Sequence, residues 1–111
     1  MNKYGDVQKV MLLREDAAQG NARAQRLLAL RYWRGRGVPQ DFELAASWMY
    51  SAAAQGLSLA QRDLADFYLN GIGVRQDPAK ASELYRAAAS QGDPLAIKFL
   101  ALQEEKNKLG S

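Results

Sequence analysis

AAQGNARAQRLLALRYWRGRGVPQDFELAASWMYSA, residues 17–52, is followed at once by AAQGLSLAQRDLADFYLNGIGVRQDPAKASELYRAA, residues 53–88. The two stretches of 36 residues are identical at 17 positions. The same spacing continues into a third copy through Gly92, Ala96 and Leu100. A unit that recurs at a fixed interval of this size predicts an array of stacked supersecondary units, each contacting its neighbours.

Each unit has the pattern of a helix, a glycine loop and a second helix. In the first unit, Ala24, Leu28 and Tyr32 recur at the spacing of one helix face, and a Gly-x-Gly-Val segment interrupts the pattern. Asp41 then occupies the place of a helix N-cap, and Asp77 repeats it. The chain is predicted to be all-α, with helices over 6–18, 22–34, 42–54, 58–70, 78–90 and 94–107.

The repeated phrase resembles the Sel1-like repeat. Its residues are Ala-x-x-x-Leu-x-x-x-Tyr-x-x-Gly-x-Gly-Val-x-x-Asp-x-x-x-Ala, which run from Ala24 and again from Ala60. The resemblance implies a tetratricopeptide-like, right-handed α-solenoid of antiparallel helix pairs, with about two and a half repeats and an N-terminal capping helix. A single domain over 1–111 would then contain the cap 6–18, repeat one 20–54, repeat two 56–90 and a terminal half repeat 92–108.

The composition removes most catalytic and metal-binding classes. The chain has no Cys and no His, the residues that supply thiolate ligands and the commonest general base and metal ligand. Asp63 and Asp66 share a helix face without a third acid nearby in sequence, which favours a solvated face or pairing with an arginine. Gly35-x-Gly37 lacks the strand and the further motif residues of a phosphate loop. We therefore expect no enzyme activity and no cofactor.

The sequence leaves two alternatives for the cellular compartment of the protein. No apolar run reaches the length of a membrane span, and the N-terminal residues lack the apolar region of a signal peptide. The chain as it stands fits the cytoplasm, whereas removal of a signal peptide would make the protein periplasmic or secreted.

The expected binding surface is the outward face of the first helices. Arg23, Arg26 and Arg34 belong to a segment, residues 23–36, with five arginines and no acid. By its similarity to tetratricopeptide stacks, the family implies that first helices line a concave groove. The predicted groove residues share one helix face in each unit: Arg23, Arg26, Leu30, Trp33, Arg34, Leu59, Arg62, Asp66, Leu69, Asn70, Lys98 and Leu102.

Membership of the family implies a non-catalytic protein-binding module, such as a bacterial adaptor, a regulatory protein or an immunity protein. A groove of arginines among leucines suits a protein segment that mixes acidic and apolar residues. Two alternatives are nucleic-acid binding by the arginine-rich helix and weak self-association through the terminal helices. The interspersed acids and the net charge of +3 argue against nucleic acid.

Overall fold

A computed structural model describes the backbone of residues 3–110 and the side chains of residues 5–110. Helices form all the regular secondary structure in this range, and short loops connect them into an elongated body of 53 × 25 × 23 Å. The predicted helices are confirmed, with α1 beginning three residues earlier and α6 ending two residues later than expected. The bounds are α1 Lys3–Ala18, α2 Ala22–Arg34, α3 Phe42–Ala54, α4 Ser58–Asn70, α5 Pro78–Ser90 and α6 Pro94–Leu109.

The starts of four helices are fixed by side-chain caps. The carboxylates of Asp41, Asp77 and Asp93 accept hydrogen bonds from backbone amides of the first turns of α3, α5 and α6, and Asn21 does the same for α2. These bonds satisfy donors that have no partner inside the helix. Leu57 stands at the corresponding start of α4 without a capping bond and instead packs against the hydrophobic core.

The Gly-x-Gly loops join the units as well as ending the first helices. Gly35 and Gly71 adopt the left-handed conformation in which a helix commonly ends. Gly37 and Gly73, also at positive φ, lie against the backbone of the preceding second helix. A Cβ atom on Gly37 would lie 2.6 Å from the carbonyl oxygen of Asp6. The loop is therefore a turn that also packs one unit on the next.

The core follows the repeated stripes. Leu28 and Leu64 are fully or almost fully buried in the first helices, and Met49 is fully buried in the second helix α3. Small residues surround them, so the helices pack closely. Alanines fill the same repeat positions in successive units and are buried in each: Ala24, Ala45, Ala52, Ala60, Ala81, Ala88 and Ala96.

A glutamine pair recurs in the complete units. Gln55, which follows α3, donates to the side chain of Gln25 at 2.9 Å, and Gln91 donates to Gln61 at the same distance. Gln25 is buried and also donates to the carbonyl oxygen of Ala17. The hydrogen bonds hold the end of each second helix to the beginning of its own first helix, because the two helices run in opposite directions.

Candidate functional site

The first-helix face is formed by the outward sides of α2, α4 and α6. Arg23 and Arg34 are exposed near the two ends of α2, and Leu30 lies between them, partly buried against the core. The guanidinium of Arg34 lies 5.4 Å from the centre of the Trp33 ring, in cation–π geometry. The face of α2 therefore carries cationic groups at its ends and an apolar middle.

Arg26 and Arg62, two of the predicted groove residues, take part in a chain of ion pairs between units. The Nε of Arg26 lies 2.7 Å from a carboxylate oxygen of Asp63, and Arg62 lies 3.8 Å from Asp63 and 3.9 Å from Asp93. These side chains are largely buried, with the two arginines 19% and 16% exposed. The pairs connect α2, α4 and the start of α6. Their charges are thus matched within the array, and a contact of either arginine with a partner stays a prediction.

Asp66 and its helix neighbours also have internal contacts. The hydroxyl of Tyr85 donates a hydrogen bond to the Asp66 carboxylate. Burial raises the pKa of Asp66 above its usual value, and the bond from Tyr85 opposes that rise. Burial and this carboxylate together raise the pKa of the Tyr85 hydroxyl. Leu69 packs, partly buried, against the core cluster that contains Ala65 and Tyr85. Asn70 is exposed, and its side chain donates a hydrogen bond to the backbone oxygen of Asp66.

Trp33 packs, partly buried, at the edge of the core. Its ring centre lies 6.5 Å from that of Phe67, a buried residue of α4. The indole therefore contributes to the contact between the first helices of the two complete units. A partner contact at Trp33, one of the predicted groove residues, stays a prediction.

Two adjoining pockets bring the α2 residues together. One, of about 360 Å³, lies between α2 and the start of α4 and is lined by Arg23, Arg26, Leu27, Leu57, Ser58 and Leu59. The other, of about 170 Å³, is lined by Leu27, Leu30, Arg31, Arg34 and Arg36. Leu59 is 39% exposed at the first pocket. Lys98 and Leu102 are exposed on α6 and line neither pocket.

Leu27 is a residue of this face that the sequence reasoning missed. It is 46% exposed and lines both pockets. The signal was present in the spacing, because Arg23, Leu27, Leu30 and Arg34 follow one another at i, i+4, i+7 and i+11 on one side of the helix. We call these four residues the α2 strip.

The other end of the first complete unit has its own ionic contacts. Asp6 of α1 lies 3.1 Å from Arg31 and 3.7 Å from Arg36. The hydrogen bond from Arg31, together with the charge of Arg36, holds the pKa of Asp6 below its usual value. These contacts attach α1 to α2 and to the loop that follows it. Arg31 is therefore matched by a carboxylate and adds less to the basic face than its place in the sequence suggests.

The described residues offer no group of three or more acidic side chains arranged to hold a metal ion. Within the same range, no helix combines the length and apolar character needed to span a membrane. Asp63 and Asp66 have arginine and tyrosine partners, respectively.

Comparison with known proteins identifies the repeat. The sequence profile of the Sel1 repeat matches residues 22–57 and 58–93, which together make up more than half of the chain. The chain belongs to the Sel1 repeat family. The two matched units correspond to α2–α3 and α4–α5, so α1 and α6 flank the complete repeats of this Sel1 array.

Solved structures from bacteria share the fold of the Sel1 array. The protective antigen c5321 of uropathogenic Escherichia coli, which displays an SLR fold, is 32% identical with a TM-score of 0.87, over 91% of this chain and 22% of that protein. A Sel1 repeat protein from Oxalobacter formigenes is 44% identical with a TM-score of 0.79, over 80% of this chain and 67% of that protein.

Helicobacter pylori cysteine-rich protein B, at 21% identity and a TM-score of 0.78, shares the fold over 89% of this chain and 72% of its own. No curated protein matches the chain. Proteins of the Sel1 repeat family generally mediate protein–protein interactions, and their fold is a scaffold for such binding and is generally non-enzymatic.

Proposed function

We propose that the Sel1 array binds a protein segment that mixes acidic and apolar residues along the α2 strip. The observation that carries the proposal is the arrangement of the strip, with Arg23 and Arg34 exposed at its ends and Leu27 and Leu30 between them. Arg23 and Arg34 are eleven positions apart, about 16 Å along the helix, which suits about five extended residues or three helical turns of a partner.

Arg23 and Arg34 are the cations on which this recognition depends. Among the described residues neither forms an ion pair, whereas Arg26, Arg31 and Arg62 each have a carboxylate partner. A guanidinium presents several donors in a planar fork that fits a carboxylate, so two such groups at a fixed separation select the spacing of acids in the partner. Leu27 and Leu59, both partly exposed, would receive apolar side chains between those acids.

The ion-paired arginines, Arg26 and Arg62, are not suitable positions for a binding test by mutation. Replacing Arg26 or Arg62 by glutamate places like charges beside Asp63, so a loss of binding in such variants would not distinguish a lost partner contact from damage to the array. The informative variant is Arg23→Glu with Arg34→Glu. Its matched control is Arg75→Glu with Arg86→Glu, which makes the same change of charge at exposed positions of the second loop and α5.

The experiment is capture of partners from bacterial lysate on wild type, on the Arg23/Arg34 variant and on the control. A protein retained by wild type and control, and reduced about tenfold or more on the variant, supports the proposal, because two charge-assisted contacts are lost. Circular dichroism checks that all three baits are folded. Equal capture of every partner by the three baits would contradict a role of the strip.

Nucleic-acid binding by α2 receives no support from the comparisons, and a salt titration with labelled DNA and RNA separates it from protein binding. Nucleic acid would give an affinity that falls steeply with salt, since bound phosphates release counterions. We further propose that the biological role is that of a bacterial adaptor, a regulatory protein or an immunity protein. The identity of the captured partner decides among these roles.

A further inference from the structure

The last helix, α6, begins a third unit that the described residues do not complete. Asp93 caps it, and Ala96 is fully buried at the position held by Ala24 and Ala60 in the complete units. The stacked rings of Tyr85 and Phe99, with centres 3.9 Å apart, attach α6 to α5. The helix therefore occupies the place of a first helix, packed on the unit before it.

The face that a second helix would cover is open on α6. In the complete units, Ala29 and Ala65 are fully buried, and Ala65 packs in one cluster with Ala81, Tyr85 and Ala88 of α5. The equivalent residue of the third unit, Ala101, is exposed, and Ile97 is 48% exposed. We call this uncovered face the open stripe of α6, and its residues are Ile97, Ala101 and Glu104.

The chain itself shows what kind of helix covers such a face. Both second helices place alanines seven residues apart, with bulky side chains between them, Trp48-Met49 in α3 and Leu84-Tyr85 in α5. The four alanines concerned, two in each helix, are fully buried. Small residues on both helices allow the axes to approach closely. In the open stripe, Ala101 provides the small residue that such close helix–helix packing needs.

The charge of Glu104 further restricts which helix could dock on α6. Glu104 stands at the position of Tyr68, and in the second unit Lys80, in the first turn of α5, places its ammonium 5.4 Å from the centre of the Tyr68 ring. A helix docked on α6 as α5 docks on α4 would bring the same lysine to the Glu104 carboxylate. The corresponding residue of α3 is Leu44, which has no charge to offer.

We propose that α6 is an acceptor for a helix of a partner protein that has the pattern of α5, with two alanines seven residues apart and a basic residue in its first turn. Docking of this helix would complete the third unit and continue the packing already present between α4 and α5. The site is separate from the α2 strip, so the proposal does not depend on the proposed function.

A second copy of this chain is a poorer occupant. Its α1 is the helix that would dock, but Lys9 and Asp16 stand where α3 has Ala45 and Ala52. Gln55, about one turn after Ala52, donates a hydrogen bond to Gln25, which occupies the position of Ile97 in the first unit. Docked in the same way, α1 would place the Asp16 carboxylate beside the apolar end of the open stripe, where desolvation of the charge is unfavourable.

The test uses a fluorescently labelled peptide of residues 76–92, which contains α5, added to the full protein. Binding should saturate, should be abolished by Ala101→Arg, and should be unchanged by Ala18→Arg, the same exposed substitution at the opposite end of the array. A Lys80→Glu peptide should bind about two- to fivefold more weakly, and Glu104→Lys in the protein should restore its affinity.

Three results would overturn the proposal. One is the absence of saturable binding, and another is binding that Ala101→Arg leaves intact. The third is sedimentation showing that the protein associates with itself through Ala101 in the absence of peptide, which would assign the open stripe to a second copy. Circular dichroism of Ala101→Arg and Ala18→Arg confirms that the variants keep the helical content of wild type.

Discussion

The two terminal helices, α1 and α6, leave opposite sides of the repeat uncovered, and they differ in what they expose there. In α1, Val10 and Ala17 are buried against the following unit, whereas the exposed Lys9 and Asp16 stand where the inner helices have buried alanines. In α6, Ala101 keeps the alanine of the inner helices but is exposed. The α1 end of the array thus exposes charged residues to solvent, whereas the α6 end exposes a surface that is buried between the inner helices.

The largest effect is expected when equivalent leucines are replaced in an inner helix, α2, and in the terminal helix, α6. Leu28→Ala should cost about 2–5 kcal/mol, because Leu28 is fully buried and a cavity is left behind. Leu100→Ala, at the equivalent position of the half-covered α6, should cost clearly less. Urea unfolding of the two variants measures the difference. Equal losses would mean that α6 is as well packed as α2.

The ion pairs between units give the next largest effect. Asp63→Ala should lower the free energy of unfolding by about 1–2 kcal/mol, between the values for exposed and buried pairs, because Arg26 and Arg62 lose their shared carboxylate. Glu105→Ala, on the exposed side of α6, serves as the control and should change stability little. If both variants unfold at the same urea concentration as wild type, the pairs do not stabilise the junction.

Acidification should destabilise the packing of α1 on the array more than that of α4 and α5. The pKa of Asp6 is lowered in the folded protein, so its stabilising effect is present above the usual aspartate pKa and is lost as the pH falls through the lowered value. The pKa of Asp66 is raised, so protonation of Asp66 on acidification favours the folded state instead. Hydrogen exchange measured between pH 7 and pH 3 should show α1 losing protection before α4 and α5.

The Asp6→Asn variant provides the control for this pH effect. It should have less protection of α1 at pH 7 than wild type and a smaller change on acidification. A wild-type α1 whose protection, relative to α4 and α5, is independent of pH would show that Asp6 does not hold this helix through its charge.

The smallest effect on stability is expected when the charged end is made to resemble the inner helices. Lys9→Ala with Asp16→Ala should change the free energy of unfolding by about 0.5 kcal/mol or less, since both residues are exposed. The variant should nevertheless associate with itself as its concentration rises, because α1 could then pack on the open stripe of another copy. Analytical ultracentrifugation should detect this association, and a variant that stays monomeric would show that Lys9 and Asp16 do not block the end.

Most of the fold follows from local patterns. The stripe of Ala24, Leu28 and Tyr32, the caps Asp41 and Asp77 and the loop glycines each predict their own element, and the repeat supplies the stacking. Leu57 shows the limit, because α4 starts there without a capping side chain. At this position, packing of an apolar residue in the core replaces the cap that Asn21 and Asp93 provide in the neighbouring units.

The candidate site was less predictable because side-chain pairing between helices is not a local property. Arg26 and Asp63 lie 37 residues apart in sequence and meet only when α2 and α4 stack. The spacing placed Arg23, Arg26 and Arg34 on one surface but did not distinguish a matched charge from an unmatched one. Leu27 could have been found from its spacing to Arg23, Leu30 and Arg34.

The loop glycines bring each unit close to the preceding second helix. At Gly73 an added Cβ would overlap the carbonyl oxygen of Phe42, so main chain meets main chain at that junction without a side chain between them. At that junction the distance between the two main chains depends on the glycine and not on an intervening side chain. A protein assembled in this way can exchange its recognition residues while the geometry that presents them stays constant.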